Sequence, residues 1–312
     1  MNTKKVFCLV GPTAIGKTDL ACWLTDELPL EIVNLDSSLI YKELVIGAAK
    51  PPLAVLDKYP HHLINRCSLA ETFSVAQFCA EAQIICEEIL NRHKYPLLVG
   101  GTMMYLHAFQ NGLAKLPAAA AEIRESIRNE AQQVGWVQMH QKLASFDAVT
   151  AQRVHPNDQQ RISRAFEIYL QSGKTWSAWL QEAQESNDFD CHNLVLLPEH
   201  RLWLHQRIAV RFAEMVQAGL LDEVRDILAN NSISPHHPAL RSVGYRQAIM
   251  YLQGELAADA WQEKAVVATR QLAKRQMTWL RSFVGSSNFY QPSATILTEI
   301  IDCIKKILDN SN

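Results

Sequence analysis

Gly11-Pro12-Thr13-Ala14-Ile15-Gly16-Lys17-Thr18 sets two glycines, a lysine and a hydroxyl at the spacing of a phosphate-binding loop. The glycines let the backbone curl so that several N–H groups face one anion, and a helix beginning near Gly16 adds its positive end. Lys17 is placed to reach the outer phosphate, and the Thr18 hydroxyl to ligate Mg²⁺. The motif follows the apolar run Val6–Val10 and precedes a helical pattern over 17–28, the setting such loops require. It points to a polyphosphate without saying which. The usual second half of a nucleotide-hydrolysing site is an apolar strand ending in Asp. Here the run Pro96-Leu97-Leu98-Val99 ends in Gly100-Gly101-Thr102, which weighs against a motor or NTPase.

Asp36 closes a second apolar stretch, Glu31–Leu35. In open α/β sheets the ligand crevice lies outside the carboxyl ends of the strands, so Asp36 and Thr102 are expected to flank the phosphate loop. A carboxylate there can accept a proton from a substrate N–H or O–H. The alternative is that Asp36 only caps the turn through Ser37 and Ser38. Lys50 follows in a loop, where contact with phosphate and simple exposure are both open.

The elements that must position these groups alternate. Strand, glycine turn, helix, strand, a helix opened by the capping box Ser74/Gln77, and a strand over Tyr95–Val99 predict a parallel sheet with helices on its faces. From 118 to 184 only helical periods occur, including one expected to be capped by Asn157 and ended by Gly173. Asn193–Leu197 reads as one more buried strand. Helices are expected over 200–218, 221–230, 239–253, 259–283 and 293–309, and the stretch just past Gly285 carries no clear signal. The expected fold is a P-loop NTPase-like α/β core, residues 1–116 and 188–312, interrupted by an all-helical insertion, 117–187.

The bulk composition fits a folded globular chain: of 312 residues 48% are hydrophobic, enough for a large core, and the net charge of −2 argues against a protein that coats nucleic acid over its whole surface. No apolar run reaches the roughly 18 residues of a membrane span. Val6–Val10 is too short for a signal peptide, and the seven scattered cysteines fit reduced thiols in a cytosol. His61-His62 and His236-His237 are adjacent pairs, poorly arranged to chelate one metal.

Two stretches are locally basic. Residues 241–281 carry seven basic and three acidic side chains. On one helix Arg270, Lys274 and Arg281 fall within about 40° of one another, with Leu272, Trp279 and Phe283 on the opposite side. Arg153, Arg161 and Arg164 form a second cluster. A solvated helix face is the plain reading of each; beside an anion-binding core, both also suit a nucleic-acid backbone.

Together these segments resemble the tRNA dimethylallyltransferases (tRNA isopentenyltransferases, bacterial type). The similarity runs in order through Gly11–Thr18, Asp36-Ser-Ser-Leu-Ile-Tyr41, Ile46-Gly-Ala-Ala-Lys-Pro51, Pro60-His-His-Leu63 and Leu97–Thr102. It continues through Arg153–Asp158, Gln160–Arg164, Val243-Gly-Tyr-Arg-Gln247 and Thr269–Arg281. Ala48 stands where the family usually has Thr, and Asn65 where Asp is common.

The resemblance implies transfer of a dimethylallyl group from dimethylallyl diphosphate to N6 of adenosine 37 beside the tRNA anticodon. The diphosphate is then a leaving group held by Gly11–Thr18 and Mg²⁺. Lys17 and Thr102 assist, and Asp36 acts as general base. It also implies tRNA contacts from Asp36, Ser37, Ser38, Leu39, Thr102 and Arg124. Further contacts are implied from Gln160, Arg161, Ile162, Ser163 and Arg164; from Arg241, Ser242, Val243, Gly244, Tyr245 and Arg246; and from the stretch Arg270–Met277, with Arg270, Lys274 and Arg275 in it. The insertion would clamp the anticodon stem, with phosphate contacts giving affinity and base contacts giving selection. The adenine must leave its stack to react. A cytoplasmic monomer is the expected state.

Three rivals share part of this pattern. A small-molecule kinase would consume ATP and would not need the basic helix. An adenylate isopentenyltransferase would act without tRNA. A non-catalytic RNA-binding module would leave the phosphate loop unexplained.

Overall fold

A computed structural model describes residues 4–114, 116–182, 188–230, 233–234, 237–283 and 285–309. Contacts divide the chain into two compact units, Met1–Gln110 with Asp188–Asn312, and Asn111–Asn187.

The first unit opens with β1 (Lys4–Val10), α1 (Lys17–Glu27), β2 (Leu30–Leu35), α2 (Leu53–Lys58), β3 (His61–His62), α3 (Val75–Asn91), β4 (Tyr95–Gly100) and α4 (Met103–Asn111). The second unit holds α5 (Ala121–Val134), α6 (Trp136–Phe146), α7 (Ala148–Arg153), α8 (Gln159–Ser172) and α9 (Trp176–Gln181). The first unit then resumes with β5 (Phe189–Pro198), α10 (Arg201–Gln217) and α11 (Leu220–Ala229). A 3₁₀ turn, Pro238–Arg241, leads to α12 (Tyr245–Leu252), α13 (Ala260–Leu280), β6 (Ser287–Gln291) and α14 (Ile296–Asp309).

All six strands pair in parallel, in the order β3-β2-β4-β1-β5-β6. The chain leaves β1 for β2 on one side and reaches β5 on the other. The carboxyl end of β1 is therefore the point where the strand order reverses, and there α/β sheets open a ligand crevice. Buried strands show as unbroken apolar runs, and β1 buries six consecutive residues, Lys5–Val10. The two-residue period of a strand sends Val6, Cys8 and Val10 into one core, with α3, α4, α11 and α12. It sends Phe7 and Leu9 into the other, with α1, α10 and α14.

The second unit has its own core, in which Ile127, Met139, Leu143, Ile162 and Phe166 meet. Phe146 stacks on Tyr169 at 4.3 Å between ring centres. No helix among the described residues is long and apolar enough to cross a membrane.

Several elements differ from expectation. The capping box at Ser74 and Gln77 forms as expected. The cap of α8, however, is Asp158 rather than Asn157, because the Asp158 carboxylate accepts the Arg161 N–H. β5 begins at Phe189, four residues early, since its first half is only partly buried and lacks the apolar signature. β6 is an edge strand, Ser-Asn-Phe-Tyr-Gln, with one buried residue and hence no readable period. The expected 239–253 helix is a 3₁₀ turn and a helix, parted by Gly244 at φ +93°. The second unit begins at Asn111 rather than 117, and expectations for 183–187 and His236 lie outside the described residues.

Candidate active site

The phosphate loop runs from β1 into α1. Gly11 has no room for a side chain: a Cβ there would lie 2.8 Å from the Leu196 carbonyl oxygen on β5. Gly16 sits in the left-handed region at φ +101°, where glycine is favoured, and caps α1 without any side-chain hydrogen bond. The first N–H groups of α1 are thus not claimed by a capping side chain. Lys17 Nζ donates to the carbonyls of Gly11 and Pro12 at 3.0 and 2.9 Å. Burial draws its ammonium down to about 8, with Asp36 opposing and Arg211 adding to the shift.

Asp36 stands at the end of β2, and its surroundings over-determine its position. Buried Asn34 accepts the Asp36 N–H at 2.9 Å and donates to the Asp36 and Leu63 carbonyls. Asp36 Oδ1 accepts the Ser38 N–H at 2.9 Å. Thr102 accepts the Ser37 N–H at 3.0 Å, and its own N–H donates to the Leu35 carbonyl at 3.2 Å. The carboxylate therefore caps its turn and also lines the cavity beside Lys17, so the two sequence readings are compatible. Thr102 touches the Asp36 turn directly. Gly100 permits this closeness, because a Cβ there would fall 2.2 Å from the Leu35 carbonyl oxygen.

The cavity measures about 1020 Å³ and has two characters. Lys17, Thr18, Arg207 and Arg211 give its lining a cationic, polar part, Asp19, Asp36 and Glu214 add carboxylates, and Val45, Ile46, Pro52, Val55 and Met215 give an apolar part. Arg207 Nε donates to the Ala14 carbonyl at 2.8 Å and lies over the Trp203 ring. Burial lowers the Arg211 guanidinium, with the Asp36 charge opposing. The sequence reading missed both arginines. Their signal was an i, i+4 pair on the helix that follows β5. Gln276, which lies in the Arg270–Met277 stretch expected to contact tRNA, is instead a buried residue of α13 turned to the phosphate loop. Its Oε1 accepts the Thr13 N–H at 2.9 Å while its Nε2 donates to the Gly101 carbonyl at 2.8 Å.

Other expected site residues fall into groups. On the first unit Arg241, Arg246, Lys274, Arg275 and Arg281 are exposed, and Arg270 is half-buried with no hydrogen-bond partner for its Nε. Ser242 and Val243 are half-buried. Gly244 and Tyr245 are buried, so the Tyr245 side chain is scaffold rather than contact surface. Trp279, expected on an apolar face, is 42% exposed and meets His107 edge-on, because α13 buries the arc through Trp261, Ala265 and Gln276.

On the second unit Gln160 and Arg161 are exposed, and Arg161 pairs with Asp158. Ile162 is a core residue and cannot present its side chain to a partner. Ser163 and Arg164 are half-buried; Arg164 donates to Glu167 and the Pro117 carbonyl, and Arg124 approaches Glu167 at 3.9 Å. Lys50 lines the cavity and is also tied to the fold, its Nζ donating to the Tyr41 and Lys42 carbonyls and to Asn65. His62 meets Glu31 at 2.9 Å; with Arg92 the dominant partner, that carboxyl is held down to about 2.

Fold and site together define an α/β protein of the P-loop class with a carboxylate set beside its anion loop. Residues 39–283 match the IPP transferase family, and the chain belongs to that family. It is 47% identical to a tRNA dimethylallyltransferase of Legionella pneumophila, covering 99% of this chain and 98% of the relative. It is 42% identical to the tRNA dimethylallyltransferase of Coxiella burnetii, covering 97% of each. Among solved structures, the tRNA isopentenylpyrophosphate transferase of Bacillus halodurans superposes with a TM-score of 0.72 at 29% identity, over 99% of this chain and 98% of that one. A eukaryotic dimethylallyltransferase, described as acting on tRNA, superposes with 0.83 at 26%, over 99% and 80%.

Proposed function

We propose that the chain transfers the dimethylallyl group of dimethylallyl diphosphate to N6 of adenosine 37 in tRNA, releasing diphosphate. The observation that carries this reading is one cavity holding a phosphate loop, a carboxylate and an apolar wall. A kinase needs the first two; an allylic diphosphate uses all three.

The C1–O bond to the diphosphate breaks as the N6–C1 bond forms, and the N6 proton passes to Asp36. An exocyclic amine is a weak nucleophile because its lone pair is delocalised into the ring. Removing its proton as the bond forms keeps positive charge from accumulating on nitrogen. Lys17, Arg211 and the N-terminal N–H groups of α1 face the charge that develops on the leaving group. Arg207 holds the Ala14 carbonyl and so the curl of the loop. The Thr18 hydroxyl, with the Asp19 carboxylate also on the cavity, offers oxygen donors that suit Mg²⁺. When bound, Mg²⁺ would neutralise diphosphate charge.

Exposed Arg241, Arg246, Lys274 and Arg275 on the first unit, and Gln160 and Arg161 on the second, are the groups offered to the tRNA backbone in this reading. Gly11–Thr18 hold the diphosphate. The Asp36–Leu39 turn and Thr102 meet the reacting base. The working state is a monomer in the cytoplasm.

The test is a transfer assay with labelled dimethylallyl diphosphate, Mg²⁺ and unmodified tRNA, run beside tubes with AMP alone or with ATP as donor. Label in tRNA alone, mapped to adenosine 37, is the expected result. Label in AMP, or consumption of ATP without transfer, would overturn the reading.

A further inference from the structure

Part of the apolar wall of the cavity is a loop between β2 and α2, and loops of this kind move unless tied down. Val45, Ile46 and Ala48 line the cavity from a tight turn in which the Ala49 N–H donates to the Ile46 carbonyl and the Lys50 N–H to the Val45 carbonyl. Behind the turn stands Glu223 of α11. Its Oε2 accepts the Ile46 N–H at 2.6 Å, and its Oε1 accepts the Gly47 N–H at 3.2 Å and the Tyr245 hydroxyl at 2.6 Å. Tyr245 is fully buried, and the turn lies flat on it: a Cβ at Gly47 would fall 2.6 Å from the Tyr245 ring and 2.8 Å from Leu220.

Unlike Asp19, Asp36 and Glu214, Glu223 does not line the cavity, and three donors occupy its carboxylate. Burial raises the Tyr245 phenol, with Glu223 adding to the shift, so the hydroxyl remains a donor.

We propose that Glu223 is a positioning residue that fixes the Val45–Lys50 turn, and through it the apolar surface on which the allylic chain rests, so that it sets affinity for the hydrocarbon rather than for the diphosphate. The proposal rests on the functional reading above. It assigns to one half-buried clamp the discrimination between an allylic diphosphate and diphosphate itself. Loss of the clamp leaves the phosphate loop intact and lets the wall recede, so longer chains gain relative to the five-carbon one.

The experiment is calorimetric binding, with Mg²⁺ and an unmodified anticodon stem-loop present throughout. The two ligands are inorganic diphosphate and the unreactive thiolo analogue of dimethylallyl diphosphate. Wild-type protein should prefer the allylic ligand. In Glu223→Gln that preference should fall about tenfold, with inorganic diphosphate binding within about threefold of wild type. Tyr245→Phe, which keeps the ring and loses only the hydroxyl, should lower the preference by about threefold and serves if Glu223→Gln does not fold.

An unchanged preference in a folded variant overturns the proposal. So does an equal loss for both ligands, which would mean general collapse of the site. Wild-type protein that binds both ligands equally would remove the functional reading, and this proposal with it.

Discussion

Asp36→Asn separates the two jobs that Asp36 holds. The amide keeps an oxygen able to accept the Ser38 N–H, now at 2.9 Å, and the backbone bonds to Asn34 do not involve the side chain. The turn should therefore stand, with stability changed by no more than about 0.5 kcal/mol, as for substitutions that break no special feature. What disappears is the charge and the ability to take a proton. General-base contributions run at about 10²–10⁴-fold, so single-turnover transfer at saturating substrates should slow by that factor. Asp36→Ala should match it in rate and lose about a further 1 kcal/mol of stability, because the Ser38 N–H is left without its acceptor. The assay is rapid-quench transfer at pH 7, paired with tRNA binding and thermal melting. Asp36→Asn turning over within about threefold of wild type would reduce Asp36 to a capping residue. A loss confined to tRNA affinity would make it a base-binding residue and refute proton abstraction.

Other consequences are as direct. Lys17, drawn to about 8 by burial, is charged below that pH in the free protein, and a bound diphosphate would hold the proton on. Affinity for the allylic diphosphate should thus be full below pH 8 and weaken by up to about tenfold per unit above it; a flat profile from pH 7 to 9 would contradict the assignment. Gln276→Met preserves volume but strands the Thr13 N–H and the Gly101 carbonyl, at about 1–3 kcal/mol each. Lower melting with weaker diphosphate binding is expected, and no change in either would show that the bridge is dispensable. Lys274→Ala with Arg275→Ala should flatten the dependence of log Kd for tRNA on log salt by about 1.5. An unchanged slope would return α13 to a merely solvated face.

The parts of the site that were legible in the sequence are contiguous. A phosphate loop is eight residues whose backbone geometry is written in its own glycines, and Asp36 and Thr102 end strands whose apolar runs announce them. The parts that were not legible come from distant segments. Gln276 matters because α13 brings an amide to the loop at Thr13, and Glu223 because α11 passes behind Gly47. No local pattern encodes either meeting. Ile162 and Tyr245 show the converse: a shared motif identifies a residue without saying which way its side chain points, and both point inward. β6 escaped notice because an edge strand with one buried residue has no period to detect.

The split of the first unit around the second has a consequence for synthesis. β1 is finished first, yet Lys4 pairs with Phe189 and Val10 with Val195, so one edge of the central strand waits for the whole inserted unit to be made. At about 5–20 residues per second that wait is roughly ten to forty seconds. During it the chain carries an unpaired ladder of Val-Phe-Cys-Leu-Val, the kind of segment that seeks any other open edge. The inserted helices meanwhile have a core of their own to close. Lys4 and Lys5, set directly before that apolar run, stand where charges discourage stacking of nascent chains. The arrangement makes the newborn protein, rather than the finished one, the form most in need of a chaperone.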